Sequence, residues 1–252
     1  MRFDEVLKTY GYPIVSKEVS STVAGARRSI AKGVYSHRLC KLGVKPDEYG
    51  GLFDDGTHAY EQNLANSQFI QTKWRFLLDS DFDISPTCCD VMKKKPAKQY
   101  EKQTGRKPII GTLASESTLR RTAWTKHGCN AFESKRPTSQ PLSFWTEQDI
   151  LHYLQQYDVP YCPVYGNIVV DTLSRQGDKL TTTDCSRTGC IFCAFGCHIE
   201  KTPNRFQRLK ETHPKQWKYC IGGGEMVDGK WQPNEEGLGL GRVLDYINVK
   251  YE

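Results

Sequence analysis

Four cysteines fall within thirteen residues in the stretch Asp184-Cys185-Ser186-Arg187-Thr188-Gly189-Cys190-Ile191-Phe192-Cys193-Ala194-Phe195-Gly196-Cys197-His198. Thiolates at such spacings can converge on one metal ion or cluster, and the interleaved Gly189 and Gly196 permit the tight turns this needs. A second feature is Cys88-Cys89, about a hundred residues earlier. Adjacent thiols cannot readily bond each other, yet both can bind different edges of one cluster. Iron–sulfur clusters and structural zinc sites each take four thiolates. The chain offers two such sets. One is local: Cys185, Cys190, Cys193 and Cys197. The other is composite: Cys88, Cys89, Cys190 and Cys193. His198 adjoins the run and is read as a surface or core histidine before a ligand or a hydrogen-bond donor to one.

Composition bounds what the site serves. The chain has 252 residues, a quarter of them charged and 38% hydrophobic, which is ordinary for a globular protein with one large domain or two modest ones. No apolar run reaches the length of a membrane span, and Met1-Arg2-Phe3-Asp4-Glu5 lacks the apolar core of a secretory signal. Ten cysteines in that context argue for a reducing, cytoplasmic setting in which thiols serve metal or redox chemistry. The formal charge of +6 suits a nucleotide or nucleic-acid partner without requiring one.

The elements that must position these thiols follow from periodicity. Phe3, Val6, Leu7 and Tyr10 have helical spacing, and Pro13 to Lys17 reads as extended. Ser20 to Leu42 predicts one or two helices, residues 44–58 a loop, and Tyr60 to Leu78 another helix. A basic helix is expected over Asp90–Thr104, ended by Gly105. Pro108 to Leu113 is the best candidate for a buried parallel strand, with Ser115-Glu116-Ser117 opening a helix. Thr146 with Asp149 makes a capping-box start for a helix over Ile150–Tyr157, and Tyr161 to Val170 is read as extended. Helices near Pro203–Lys210, after Pro214 and after Gly241 complete the chain, with Gly222-Gly223-Gly224 read as a hinge. Alternating strands and helices indicate an α/β fold with a helix-rich C-terminal part. Three segments are expected: 1–80 helical, 81–200 α/β with the cysteine site, and 201–252 a helical extension. Arg205, Arg208 and Lys210 with Phe206 and Trp217 are weighed as a nucleic-acid surface against an ordinary amphipathic helix, which is preferred.

Several ordered motifs carry a resemblance. Cys88-Cys89 followed by Lys93, Lys94 and Pro96, and later Gly189-Cys190-x-x-Cys193, resembles the paired-cysteine pattern of the assimilatory adenylyl-sulfate reductases. Those belong with the phosphoadenylyl-sulfate (PAPS) reductases in the adenine nucleotide alpha-hydrolase-like superfamily. Gly111-x5-Ser117 followed by Arg120 is similar to that family's substrate-contacting loop. Pro141-Leu142-x-x-Trp145-Thr146-x-x-Asp149-Ile150 and Val159-Pro160-Tyr161-x-Pro163-Val164-Tyr165 are similar to its next two signatures. The resemblance covers roughly residues 70–198.

What it implies is a truncated Rossmann-like parallel sheet, a [4Fe-4S] cluster on Cys88, Cys89, Cys190 and Cys193 with zinc as the alternative, and an anion site lined by Gly111, Ser117 and Arg120. The substrate implied is an adenosine nucleotide, adenylyl sulfate or PAPS, undergoing sulfur transfer or reduction. The local cysteine set instead resembles DNA phosphorothioation enzymes, in which a Ser-Arg-x-Gly-Cys-x-x-Cys segment occurs. Two family features are missing: the Ser-Gly-Gly-Lys-Asp-Ser pyrophosphate loop and the C-terminal Glu-Cys-Gly-x-His tail. No catalytic nucleophile is assigned. The alternatives are a cluster-bearing subunit of a split enzyme, whose partner chain carries the pyrophosphate loop, and a nucleic-acid thiolation or binding protein.

Overall fold

The computed structural model describes residues 1–48, 70–173, 177–185 and 188–252. By spatial proximity these group into two compact units, Met1–Pro96 with Ile191–Glu252, and Ala97–Cys190. The second is continuous in sequence, whereas the first is assembled from both ends of the chain. Most of the loop expected over 44–58 and half of the helix expected from Tyr60 lie outside the described residues.

The first unit is built on a small parallel arrangement. The Ile14–Val15 strand pairs in parallel with Ala194–Phe195, and Tyr12 bridges in parallel to Ile84 on its other side. Backbone bonds from Tyr12 N to Asp83 O (2.7 Å), Ser85 N to Tyr12 O (3.1 Å) and Gly196 N to Val15 O (2.8 Å) fix the register. All four central positions, Tyr12 to Val15, are buried, as expected of a parallel strand covered on both faces.

Each strand end feeds a helical turn. Ser16 accepts from Val19 N at 3.1 Å and caps the Lys17–Ala31 helix, which presents Val19, Val23 and Ala26 to the core. The Tyr12 hydroxyl donates to Leu238 O at 2.8 Å, linking the sheet to the C-terminal part. Arg27, largely buried, spreads its guanidinium over the carbonyls of Leu77, Ser80 and Phe82, closing the 3-10 helix Thr72–Asp79. The fold is α/β and Rossmann-like in this parallel arrangement.

The C-terminal part is helical as expected: Arg205–Thr212, Pro214–Ile221 and Leu240–Tyr246. Phe206 and Leu209 pack inward, and Trp217 donates to Tyr251 O at 3.1 Å, so the helix Arg205–Thr212 is an amphipathic core helix with its aromatic ring buried. The triple glycine is not a hinge. A Cβ on Gly223 would overlap the backbone of Gly237, and one on Gly224 would overlap the Trp231 ring. Both glycines have positive φ, and Leu238 N and Gly239 N bond to Tyr219 O and Gly222 O at 2.8 Å each. The glycines are there because backbone packs on backbone.

The second unit contains two short antiparallel hairpins. Asn130–Ala131 pairs with Thr138–Ser139, and Ile168–Asp171 with Lys179–Thr182. Its α-helices are most of Lys95–Thr104, then Thr118–His127 and Glu147–Gln156, the last started by the expected Thr146–Asp149 capping box. The buried strand expected over Pro108–Leu113 does not form. Ile109 makes one parallel bridge to Ser139 and is 78% exposed. The two-residue strand beside it offers too short an edge to extend a ladder, and the following Ala114–Glu116 turns into a 3-10 helix. The extended reading of Tyr161–Val170 holds only from Ile168, because Pro163–Tyr165 winds into a 3-10 turn.

Candidate cysteine centre

After its single bridge at Ile84 the chain turns at Ser85-Pro86-Thr87, where the Ser85 hydroxyl donates to Thr87 Oγ1 at 2.7 Å and accepts from Thr87 N at 3.1 Å. The chain then winds at once into helix, so Cys88 and Cys89 stand just past the carboxyl end of the Tyr12–Ile84 parallel bridge. That edge is where open α/β sheets place their ligands. The next turn, Asp90–Lys94, is π-helical, with Lys95 N bonding to Asp90 O five residues back. Such single-turn widenings are frequent at functional sites. The expected basic helix is therefore present and continues as Lys95–Thr104, with Gly105 ending it at positive φ.

The two thiols lie side by side, Sγ to Sγ 4.0 Å. Cys88 is buried against Val6 and Val91, with Phe3, Met92 and Phe195 closing around. Burial pushes its thiol up to about 12, and the neighbouring Cys89 and Cys193 thiols push in the same direction. Cys193 is thus in electrostatic reach of Cys88. Metal binding to such thiols displaces their protons, so a soft cation would offset the cost that now keeps Cys88 protonated.

The 193–205 segment is held by one arginine. Arg205 donates from Nη1 to Cys193 O at 2.8 Å and from Nε to Glu200 Oε1 at 2.8 Å, while Glu200 Oε2 accepts Arg205 N at 2.7 Å. Cys197 belongs to the core instead. It is 2% exposed, its thiol donates to Ala194 O at 2.9 Å, and burial pushes it up to about 12. His198 packs edge-on against Trp74, with ring centroids 5.2 Å apart, and burial lowers its basicity. This matches a packing histidine.

Cys190 closes the second unit and Cys185 also lies there. Among the described residues no group of three or more Cys, His, Asp and Glu side chains converges closely enough to enclose a metal ion. The donors fit a cluster in kind, as soft thiols in an apolar surround with a guanidinium nearby, without yet closing on one point.

The expected anion loop has its own geometry. Gly111 is exposed with no positive φ. Ser117 Oγ accepts from Arg120 N at 3.3 Å and caps the Thr118–His127 helix. The Arg120 guanidinium is paired with Glu116, which also accepts Leu113 N at 2.9 Å. Lys94 likewise pairs with Asp90 at 2.6 Å. An incoming anion at Arg120 must compete with Glu116, a contest that the sequence pattern alone did not reveal. Sequence reasoning also missed Arg205 as the clamp on Cys193; its signal was the basic residue twelve positions after a cysteine in the run, with an acid five before it.

The sequence model of the phosphoadenosine phosphosulfate reductase domain matches residues 39–195, more than half of the chain. The chain belongs to this family. The match spans the Cys88-Cys89 pair, Cys185, Cys190 and Cys193, and ends at Phe195 of the parallel strand pair, two residues before Cys197. No curated protein and no solved structure matches the chain. Among the described residues no helix is long and apolar enough to cross a membrane.

Proposed function

We propose that this PAPS reductase family protein holds a [4Fe-4S] cluster on Cys88, Cys89, Cys190 and Cys193, and uses it in sulfur transfer or reduction on an adenylylated or sulfated nucleotide. The observation that carries this reading is the Cys88–Cys89 pair, 4.0 Å apart just past the Tyr12–Ile84 parallel bridge, with Cys193 acting on Cys88. Cys197 is engaged with Ala194 O in the core, which favours the composite set over the local one. When bound, the cluster would tune the electrostatics of the substrate rather than pass electrons to it.

The chain's own groups have separate tasks. Phe3, Met92 and Phe195 exclude water from the thiols, which strengthens every charge interaction there. Arg205 fixes the Cys193 backbone and places a positive charge near the thiolates. Gly111, Ser117 and Arg120 would receive the anionic part of the nucleotide, with Arg120 exchanging its Glu116 partner for phosphate or sulfate oxygens. A bidentate guanidinium suits that exchange.

The test is anaerobic iron and labile-sulfide analysis on the wild type and four Cys→Ser variants. Cys88→Ser and Cys89→Ser should lose the cluster, while Cys185→Ser and Cys197→Ser keep it; the reverse pattern selects the local set. Calorimetric titration of the reconstituted protein with adenylyl sulfate and PAPS then tests the substrate class, and absence of binding to both sinks it.

A further inference from the structure

The chain's positive charge is not spread evenly. Residues 97–140 carry nine lysines and arginines against three acids, Glu101, Glu116 and Glu133, a surplus equal to the formal +6 of the entire chain. Residues 141–190, the remainder of the same unit, carry three against six. Two of the three acids in the basic half are spent within it, Glu101 on Arg136 and Glu116 on Arg120. The other seven basic side chains are exposed and form no ion pair among the described residues.

The elements bearing these charges are unusual for a folded unit. The helices Lys95–Thr104 and Thr118–His127 each run ten residues without burying one. Isolated helices of that length are marginal in water, so such faces ordinarily have a partner. The Asn130–Ser139 hairpin connects them. Arg136 Nε bonds to Glu101 Oε2 at 2.9 Å on one side, and Gln140 N bonds to Cys129 O at 2.6 Å just past the other helix. On these elements three aromatic rings stand in solvent: Tyr100 at 49%, Trp124 at 37% and Phe132 at 61% exposure.

Unpaired cations alone would be a solvated face. Cations interleaved with exposed rings match a flexible polyanion whose flat groups can stack. We infer that residues 98–136 form a binding surface for single-stranded nucleic acid, with phosphates on Lys98, Lys102, Arg121 and Lys126 and bases stacked on Trp124 and Phe132. A duplex hides its base faces, whereas a single strand presents a stackable base with every phosphate, so the single strand is the occupant that uses both features along its length. The inference does not rest on the cluster or on sulfonucleotide chemistry.

The test is fluorescence anisotropy of the full chain with labelled 20-nucleotide single-stranded RNA and DNA, and the same sequence as duplex, from 50 to 200 mM KCl. Four phosphate contacts give a log–log salt slope of about −2.8, hence roughly a fiftyfold weakening across that range. Trp124→Ala should weaken single-strand binding about tenfold or more with the slope unchanged. The double variant Lys98→Glu/Lys102→Glu should flatten the slope, and Arg121→Gln/Lys126→Gln should do the same from the other helix. Circular dichroism confirms that each variant is folded. Retention of one sugar type over the other identifies the natural strand. No binding at 50 mM overturns the inference, as does equal binding of duplex with no loss in Trp124→Ala, which marks a plain polycation.

Discussion

Arg205 reaches back twelve residues and donates from Nη1 to the carbonyl oxygen of Cys193 at 2.8 Å. The same guanidinium is held by Glu200, whose other oxygen accepts the Arg205 amide at 2.7 Å. One side chain thus ties a cysteine backbone to a helix start. Arg205→Ala is expected to cost about 2–3 kcal/mol of stability by urea unfolding, in the range of hydrogen bonds made by charged groups. Arg205→Lys, which keeps the charge but loses the fork, should recover only part of it. If cluster loading falls with stability in Arg205→Ala but stays low in Arg205→Lys, geometry matters more than charge.

Glu200 makes the same contact visible in pH. Burial pushes its carboxyl up, but the Arg205 hydrogen bonds and charge, aided by Arg208, more than offset this and hold it below the usual carboxylate value. A depressed acid contributes stability above its unfolded pKa and loses it as pH falls through the folded one. The acid limb below about pH 4.3 should therefore be less steep in Glu200→Gln than in the wild type. The measurement is urea unfolding from pH 7 down to pH 3. Parallel limbs would show that Glu200 contributes nothing by this route.

Thiol accessibility should separate the cysteines. Cys162 is exposed, whereas Cys220 is fully buried and its thiol is pushed up to about 12 by burial. With metal-free native protein at pH 8, a maleimide should label Cys162 within minutes and Cys220 only after denaturation. Peptide mapping gives the order. Early labelling of Cys220 would contradict its place in the core.

Gly223 is expected to be intolerant of any side chain. Its φ is positive and a Cβ would overlap the Gly237 backbone. Gly223→Ala should destabilise by roughly 2–4 kcal/mol, or keep the chain from folding, by the summed cost of strain and overpacking. Gly229→Ala, also at positive φ but facing open space, carries the strain alone and should cost about 1 kcal/mol. The difference between the two midpoints isolates the packing part.

Much of the helical content was legible because capping and periodicity act locally. Thr146 caps its helix as its spacing to Asp149 indicates, whereas Ser16 and Asn204 also cap the helices Lys17–Ala31 and Arg205–Thr212 although the sequence pattern places them in an extended piece and inside a helix. The family was also legible, since Cys88-Cys89 and Cys190-x-x-Cys193 are contiguous signals. What was hidden depends on distant backbone. Pro108–Leu113 has the composition of a buried strand, but the partner it finds is only Thr138–Ser139, so Ile109 remains in water. Gly222-Gly223-Gly224 has the composition of a hinge, and only the position of Gly237 and Trp231 shows it to be a close contact. Arg120 looked like an open anion ligand until Glu116, one turn away, was seen to hold it.

The parallel pairing of Ile14 with Ala194 has a consequence in time. A chain made from its N-terminus presents Ile14 about 180 residues before its partner exists. The continuous stretch 97–190 is complete by then and can fold first, whereas the residues around Tyr12 must wait with one edge open. Closing a loop of that length costs little more entropy than closing one of half the length, about 0.6 kcal/mol per doubling. The delay is therefore the larger burden: an unfinished apolar edge is exposed to other chains during synthesis, and truncation before residue 194 should leave a product prone to aggregate.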